Sequence, residues 1–424
     1  MSVLKIRGGQ RLEGFLSVQG SKNGALPLMA AAVLHAGTTT LHNIPRILDV
    51  HYMIQILEAL GCICTWEGNS LVMDTSTLQG AQLPKELVGR MRSSIFLLGP
   101  LLGRCREAVT FQPGGCSIGD RPIDLHLWGL RQMNVEIVEE DGKIQALTSE
   151  LVGNEILLPF PSVGATENIL MAAVKARGIT VIKNAAREPE IIQLCLCLNN
   201  MGAKIKGIGS AVLWIEGVTE LHDSEWTNQG DRIAAATYLT AVAACGGETV
   251  IHGVESSQLY SVLSVLSLSG CEVFCGTSSI CLRSTGQLRR VPYIRTAPFP
   301  GFPTDMQSPI MAFFTVVPGE SVIEETIFED RFQVVEELRK MGASIAMDGK
   351  IARVCGVPKL HGACVRAGDL RGGAALVVAG LAAEGDTQIQ ECCHIQRGYE
   401  NLEKELGSLG ADIHFEKEQA SGLL

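Results

Sequence analysis

Apolar positions along the chain recur in one order. An alanine-rich run ends at glycine, a short β-branched segment follows, and then comes a variable loop. A second apolar run closes near Leu-Gly-Ala and leads into another alternating segment. The order is clear in LPLMAAAVLHAGTTTLHNI with ILEALGCIC, and in ENILMAAVKARGITVIKNAAREPEIIQLCLCLNNMGAKI. It recurs in AAATYLTAVAACGGETVIHGV with VLSLSGCEV, in GESVIEETIFEDRFQVVEELRKMGASI, and in LVVAGLAAEGDTQIQECCHIQRGYENLEKELGSLGADI. The most divergent copy is IFLLGPLLGRCREAVTFQPGG with DLHLWGLRQMNVEI. The second runs close at Gly61, Asn134, Gly202, Gly270, Gly342 and Gly410, spaced by 68 to 73 residues. Glycine or asparagine at such a point predicts the left-handed residue that ends a helix. Six repeated units of about 70 residues therefore cover nearly the whole chain. Helix alternating with strand predicts the α/β class. A chain of 424 residues is too long for one core, so the units are expected to share cores in threes, as two domains.

Composition narrows the function. Hydrophobic residues make up 46% and charged residues 19%, which is a folded chain rather than a disordered one. The longest apolar runs, such as AALVVAGLAA from Ala374 to Ala383, reach about half a membrane span, so no transmembrane helix and no membrane partner are expected. The first residues, MSVLKIRGGQRLEG, have no apolar signal core, and the cytoplasm is the expected location. A net charge of −10 without a basic run argues against nucleic acid. It leaves room for a small anionic substrate, because a few local cations dominate a cleft. Of the 14 cysteines, Cys62, Cys64, Cys195 and Cys197 sit in apolar runs and read as buried packing, and no pair of motifs has zinc spacing.

The residues with chemistry cluster in the variable loops and at helix starts. PGGCSIGDRPIDLH, Pro113 to His126, sets Cys116 on a glycine turn close to Arg121, and a nearby cation eases loss of a thiol proton. GSKNGALP puts Lys22 and Asn23 just before an alanine-rich helix, where anions are favoured; a capped helix with an exposed lysine is the plainer reading. Arg90 and Arg92 precede an apolar run, as anion ligands or as solvated charges. PSVGATENI offers Ser162, the Val163 amide and Gly164 either to a phosphate oxygen or as a simple cap. Asp231 and Arg232 open another helix, as a cap with an ion pair. RTAPFPGFPTDMQSP stiffens the approach to Asp305 with Pro298, Pro300 and Pro303, which suits a positioned base or a helix cap. Arg331, Arg371 and Arg397, with His394 near the last, complete a set of cations suited to carboxylate or phosphate groups.

As a set, GSKNGALP, PGGCSIGDRPIDLH, PSVGAT, NAAREPEI, RTAPFPGFPTDMQ, FEDRF and HIQRGYE give a chain that resembles the UDP-N-acetylglucosamine enolpyruvyl transferase family over essentially its full length. The resemblance implies a two-domain inside-out α/β barrel of six βαβαββ repeats, three per domain. One domain would run over 22–229 and carry the Cys116 loop. The other would join 1–21 to 230–424, with Asp305, Arg331 and Arg397 facing the cleft between them. It implies transfer of the enolpyruvyl group of phosphoenolpyruvate to the 3′-hydroxyl of UDP-N-acetylglucosamine, with phosphate released, at the start of peptidoglycan synthesis. No metal or cofactor is implied. Cys116 would be the acid thiol, able to hold an adduct and open to fosfomycin, and Asp305 the base. Lys22, Arg121 and Arg397 would bind the phosphate and carboxylate of phosphoenolpyruvate. Arg92, Arg331 and Arg371 would be further cations of the site, and Asn23 a sugar contact. Arg121, Pro122, Asp124, Leu125, Ser162, Val163, Gly164 and Ile327 would surround the uridine and diphosphate.

Two positions depart from the family pattern. Asp120 stands beside Arg121 where relatives often have alanine, and Phe96 stands where some have tryptophan. Two rival readings remain. One is a 5-enolpyruvylshikimate-3-phosphate synthase, which shares the fold but has no reactive thiol loop. The other is a catalytically silent paralogue acting as a binding protein.

Overall fold

The computed structural model describes residues 2–114, 118–119 and 122–417. Cys116, Asp120 and Arg121 lie outside the described residues. The chain divides into two compact units. One holds 2–19 and 230–417, with Ile118 and Gly119; the other holds 20–114 and 122–229.

Each unit is built around its alanine-rich helices. In the first, Leu370–Ala382 packs against Gln307–Phe314 and Arg232–Cys245. Nearly every residue of the three is buried, which is how a helix apolar on all sides must sit. In the second, Lys22–Ala32, Leu98–Cys105 and Val163–Ala173 are buried in the same way. Alanine and glycine suit such helices because small side chains let neighbouring backbones come close.

The described strands form six sheets, five of four strands and one of three, and the class is mixed α/β. Leu12–Ser17 pairs parallel with Gly247–His252, which pairs antiparallel with Ser279–Ser284, and that in turn with Glu272–Cys275. Burial alternates along these strands: Ile280, Leu282 and Ser284 turn inward, while their neighbours stay more open. The six helix closers expected from sequence all take the left-handed conformation, with φ of 96° at Gly61, 66° at Asn134, 103° at Gly202, 98° at Gly270, 90° at Gly342 and 94° at Gly410. No described helix is long and apolar enough to cross a membrane.

One buried acid makes the first unit sensitive to pH. Glu405 lies in the helix Leu402–Ser408, and burial, with Glu400 and Asp231 adding to it, pushes its carboxyl up to about 7. In the unfolded chain the group titrates near about 4.3. The folded state therefore holds the proton more tightly, and this contribution to stability is lost as pH rises from about 4.5 towards 7. Glu405→Gln removes the cost. Its gain in urea midpoint over the parent should correspond to up to about 3 kcal/mol at pH ~8 and shrink towards nothing at pH ~4. An equal gain at both ends would contradict a titrating Glu405.

Candidate active site

In the first unit, three distant stretches bring Asp305, Arg331 and Arg371 together. Asp305 sits in the short 3-10 turn Thr304–Met306, entered through the proline-rich segment. Neither this turn nor the helix after it has a side-chain cap, so the helix-cap reading of Asp305 is corrected. The carboxylate is taken instead by two guanidinium groups: Arg331 Nη2 donates to Oδ1 at 2.6 Å, and Arg371 Nη2 donates to Oδ2 at 2.9 Å. The arginine side chains are 3% and 5% exposed, while Asp305 is 27% exposed. Burial opposes the charge on Arg371. The Asp305 carboxylate, with Tyr399 and Asp231 nearby, outweighs burial and holds the guanidinium above its ordinary value.

Each arginine is fixed by its local backbone. Arg371 lies in the first turn of Leu370–Ala382, which Asp369 caps by accepting from the Arg371 and Gly372 amides at 2.9 and 3.1 Å. Arg331 follows the strand Glu320–Glu324 in the variable loop, and its Nε donates to the Thr304 carbonyl at 3.4 Å. In the same loop the Asp330 amide donates to the Ile118 carbonyl at 3.2 Å. Arg397 ends the short helix Cys393–Gln396 and is partly exposed. The turn beyond it is held by Gln19, which donates to the Gly398 carbonyl at 2.9 Å and accepts from the Glu400 amide at 2.8 Å.

In the second unit, Ser21 caps Lys22–Ala32 by accepting from the Gly24 amide. Lys22 and Asn23 therefore lie in the first turn, not before it. Lys22 is not an exposed lysine: its Nζ meets Asp49 Oδ2 at 2.7 Å, with side chains 12% and 2% exposed. A buried amide knot fixes this helix start. Asn228 donates to the Ser21 and Asn43 carbonyls at 3.0 Å each and accepts from Gln193 at 2.9 Å. The knot explains Gly24, where a Cβ would stand 2.6 Å from the Gln193 amide nitrogen.

Ser162 is the cap of Val163–Ala173, accepting from the Ala165 amide at 3.3 Å, so the Val163 and Gly164 amides sit at a helix N-terminus. His126 joins this turn to the helix Asp124–Arg131, which opens with Asp124 and Leu125 one residue beyond Pro122. Its ring lies against Gly164, and its Nδ1 accepts from Asn168 Nδ2 at 2.7 Å. Arg92 donates to the Pro122 carbonyl at 3.2 Å, which ties it to the same group. Phe96 packs against this core. One turn into the helix, Glu167 is buried, and burial, then the charges of Glu190 and Glu188, pushes its carboxyl well above the usual range.

Sequence reasoning passed over Glu325, Gln19, Asn228, Asp49 and Glu167. Each is a polar residue in an ordinary setting along the chain, and only burial gives it a role.

The family model described as EPSP synthase (3-phosphoshikimate 1-carboxyvinyltransferase) matches residues 6–406. UDP-N-acetylglucosamine 1-carboxyvinyltransferase 2 of Caldanaerobacter subterraneus subsp. tengcongensis is 48% identical, over 97% of this chain and 99% of its own. UDP-N-acetylglucosamine 1-carboxyvinyltransferase of Finegoldia magna is 43% identical, over 97% and 98%. Among solved structures, the enolpyruvyl transferase NikO from Streptomyces tendae superposes with a TM-score of 0.87 at 26% identity, covering 98% of both chains. An EPSP synthase from Acinetobacter baumannii reaches 0.75 at 18% identity, over 98% and 100%, which shows a shared fold. On the family model and these full-length relatives, the chain belongs to the EPSP synthase family of enolpyruvyl transferases, among its UDP-N-acetylglucosamine 1-carboxyvinyltransferase members.

Proposed function

We propose that the chain transfers the enolpyruvyl group of phosphoenolpyruvate to the 3′-hydroxyl of UDP-N-acetylglucosamine, releasing phosphate, at the entry to peptidoglycan synthesis. The observation that carries this reading is the 43–48% identity, over nearly the whole chain, to relatives named for that reaction. The EPSP synthase structures stand at 18%. The two units would each be an inside-out barrel of three repeats, and the protein would lie in the cytoplasm.

The chemistry follows from the residue types. Cys116 gives its thiol proton to the vinyl carbon of phosphoenolpyruvate, which leaves the neighbouring carbon electrophilic. The sugar hydroxyl attacks that carbon while its proton passes to Asp305, giving a tetrahedral ketal. Loss of a methyl proton and of phosphate then regenerates the double bond on the sugar ether. Lys22, Arg121 and Arg397 bind the phosphate and carboxylate, and Arg92, Arg331 and Arg371 add to the cationic field. Ser162, Val163 and Gly164 hold the diphosphate at their helix N-terminus. Asn23, Pro122, Asp124, Leu125 and Ile327 line the sugar nucleotide. A carboxylate shared by two guanidinium groups is a poor base, so Asp305 accepts the proton as Arg331 and Arg371 turn to the substrate anions.

Phosphate release from phosphoenolpyruvate with UDP-N-acetylglucosamine tests the reading. Release with shikimate 3-phosphate instead would overturn it in favour of the sister activity, and release with neither would favour a silent paralogue.

A further inference from the structure

We infer that Glu325 is a positioning residue that sets the geometry of Asp305, an inference that rests on the reading of Asp305 as the base. Glu325 follows the strand Glu320–Glu324 and is fully buried. A buried carboxylate is costly unless its oxygens are satisfied, and here both are. Oε1 accepts from the Thr296 hydroxyl at 2.9 Å, the Ile327 amide at 2.7 Å and the Phe328 amide at 3.2 Å. Oε2 accepts from the Thr304 hydroxyl at 2.9 Å.

These donors lie on both sides of the Asp305 pair. Thr304 immediately precedes Asp305, and its carbonyl takes the Arg331 Nε. Ile327 and Phe328 lead into Arg331, whose guanidinium lies 5.6 Å above the Phe328 ring. Thr296 belongs to the segment that runs into the proline-rich stretch. One buried side chain therefore fixes the turn that presents the carboxylate and the loop that presents its cation. No other described side chain bonds to both the Thr304 hydroxyl and that loop. The separation between Asp305 and Arg331 depends on the length of Glu325 and on both of its oxygens.

Steady-state kinetics with phosphoenolpyruvate and UDP-N-acetylglucosamine test this on the full chain. Glu325→Gln keeps the length. Its carbonyl oxygen still accepts from the loop amides, but its NH2 group cannot accept from the Thr304 hydroxyl, so the arm to the Asp305 turn is lost or remade in the opposite direction and the turn shifts. The fold should survive with little change in unfolding midpoint. A displacement of the base on the scale of ~1 Å should lower kcat by about tenfold to a hundredfold while both KM values move by no more than about twofold. Glu325→Asp restores the charge but falls one methylene short, and it should not recover kcat beyond the glutamine variant. Thr304→Val cuts one arm and should give the same kind of loss on a smaller scale; it carries the test if Glu325→Gln does not fold. Parent-like kcat in Glu325→Gln or Thr304→Val, or a loss that only tracks the folded fraction, would overturn the inference. An inactive parent would overturn the reading of function itself, which is a different result.

Discussion

Asp305→Asn is expected to fold and to lose about a hundredfold or more in turnover, the usual contribution of a positioned general base. Asp305→Ala should in addition lose roughly 3–5 kcal/mol of stability, because it leaves buried charges without their partner. The structural reason is the pairing of one carboxylate with two nearly buried guanidinium groups. Asparagine keeps one acceptor oxygen for one arginine but turns an NH2 group towards the other, so its stability loss should lie between parent and alanine. Activity and stability separate the two roles. Turnover within about threefold of the parent in both variants would remove Asp305 as the base. An alanine variant as stable as the parent would mean that Arg331 and Arg371 relax to water, and the charge argument would fail.

The two arginines also show where sequence stops being informative. Periodicity marks the alanine-rich runs, and burial on all sides follows from them directly. The glycine and asparagine closers are local, and all six take the backbone angle that their residue type suggests. Asp305 was legible as a stiffly presented acid because its prolines are adjacent. Its partners stand 26 and 66 residues away, and nothing along the chain assigns them. Glu325 is less legible still. In VIEETIFEDRF it is one acid among several, and only folding removes it from water while leaving others exposed. Lys22 is the reverse case: its motif stands out, but the motif does not reveal Asp49 beneath it. Residue type and spacing show which groups can react. Desolvation and long-range pairing decide which of them are held ready to do so.

Cys116→Ala should lower turnover by about a thousandfold, within the range for loss of a general acid. Fosfomycin should place one adduct on the parent and none on that variant. The prediction is demanding because the chain has 14 cysteines. Burial makes most of the others poor nucleophiles. It pushes Cys62 and Cys392 up to about 11, and Cys64, Cys195, Cys197 and Cys245 up to about 12. Cys105, Cys271 and Cys281 are raised by the same cause. A thiol at about 11 or 12 carries almost no thiolate near neutral pH, and the thiolate is the attacking species. Cys275, Cys364 and Cys393 are exposed, so accessibility alone would favour them. Selective attack at Cys116 therefore needs a field of cations around that thiol, which Arg121 and the phosphate-binding residues of the proposed site would supply. Intact mass should show a single addition, peptide mapping should place it at Cys116, and activity should fall in step with it. The triple variant Cys275→Ser, Cys364→Ser, Cys393→Ser should be labelled as fast as the parent. Labelling spread over the exposed thiols, or an adduct that leaves activity intact, would sink the assignment of Cys116 as the acid.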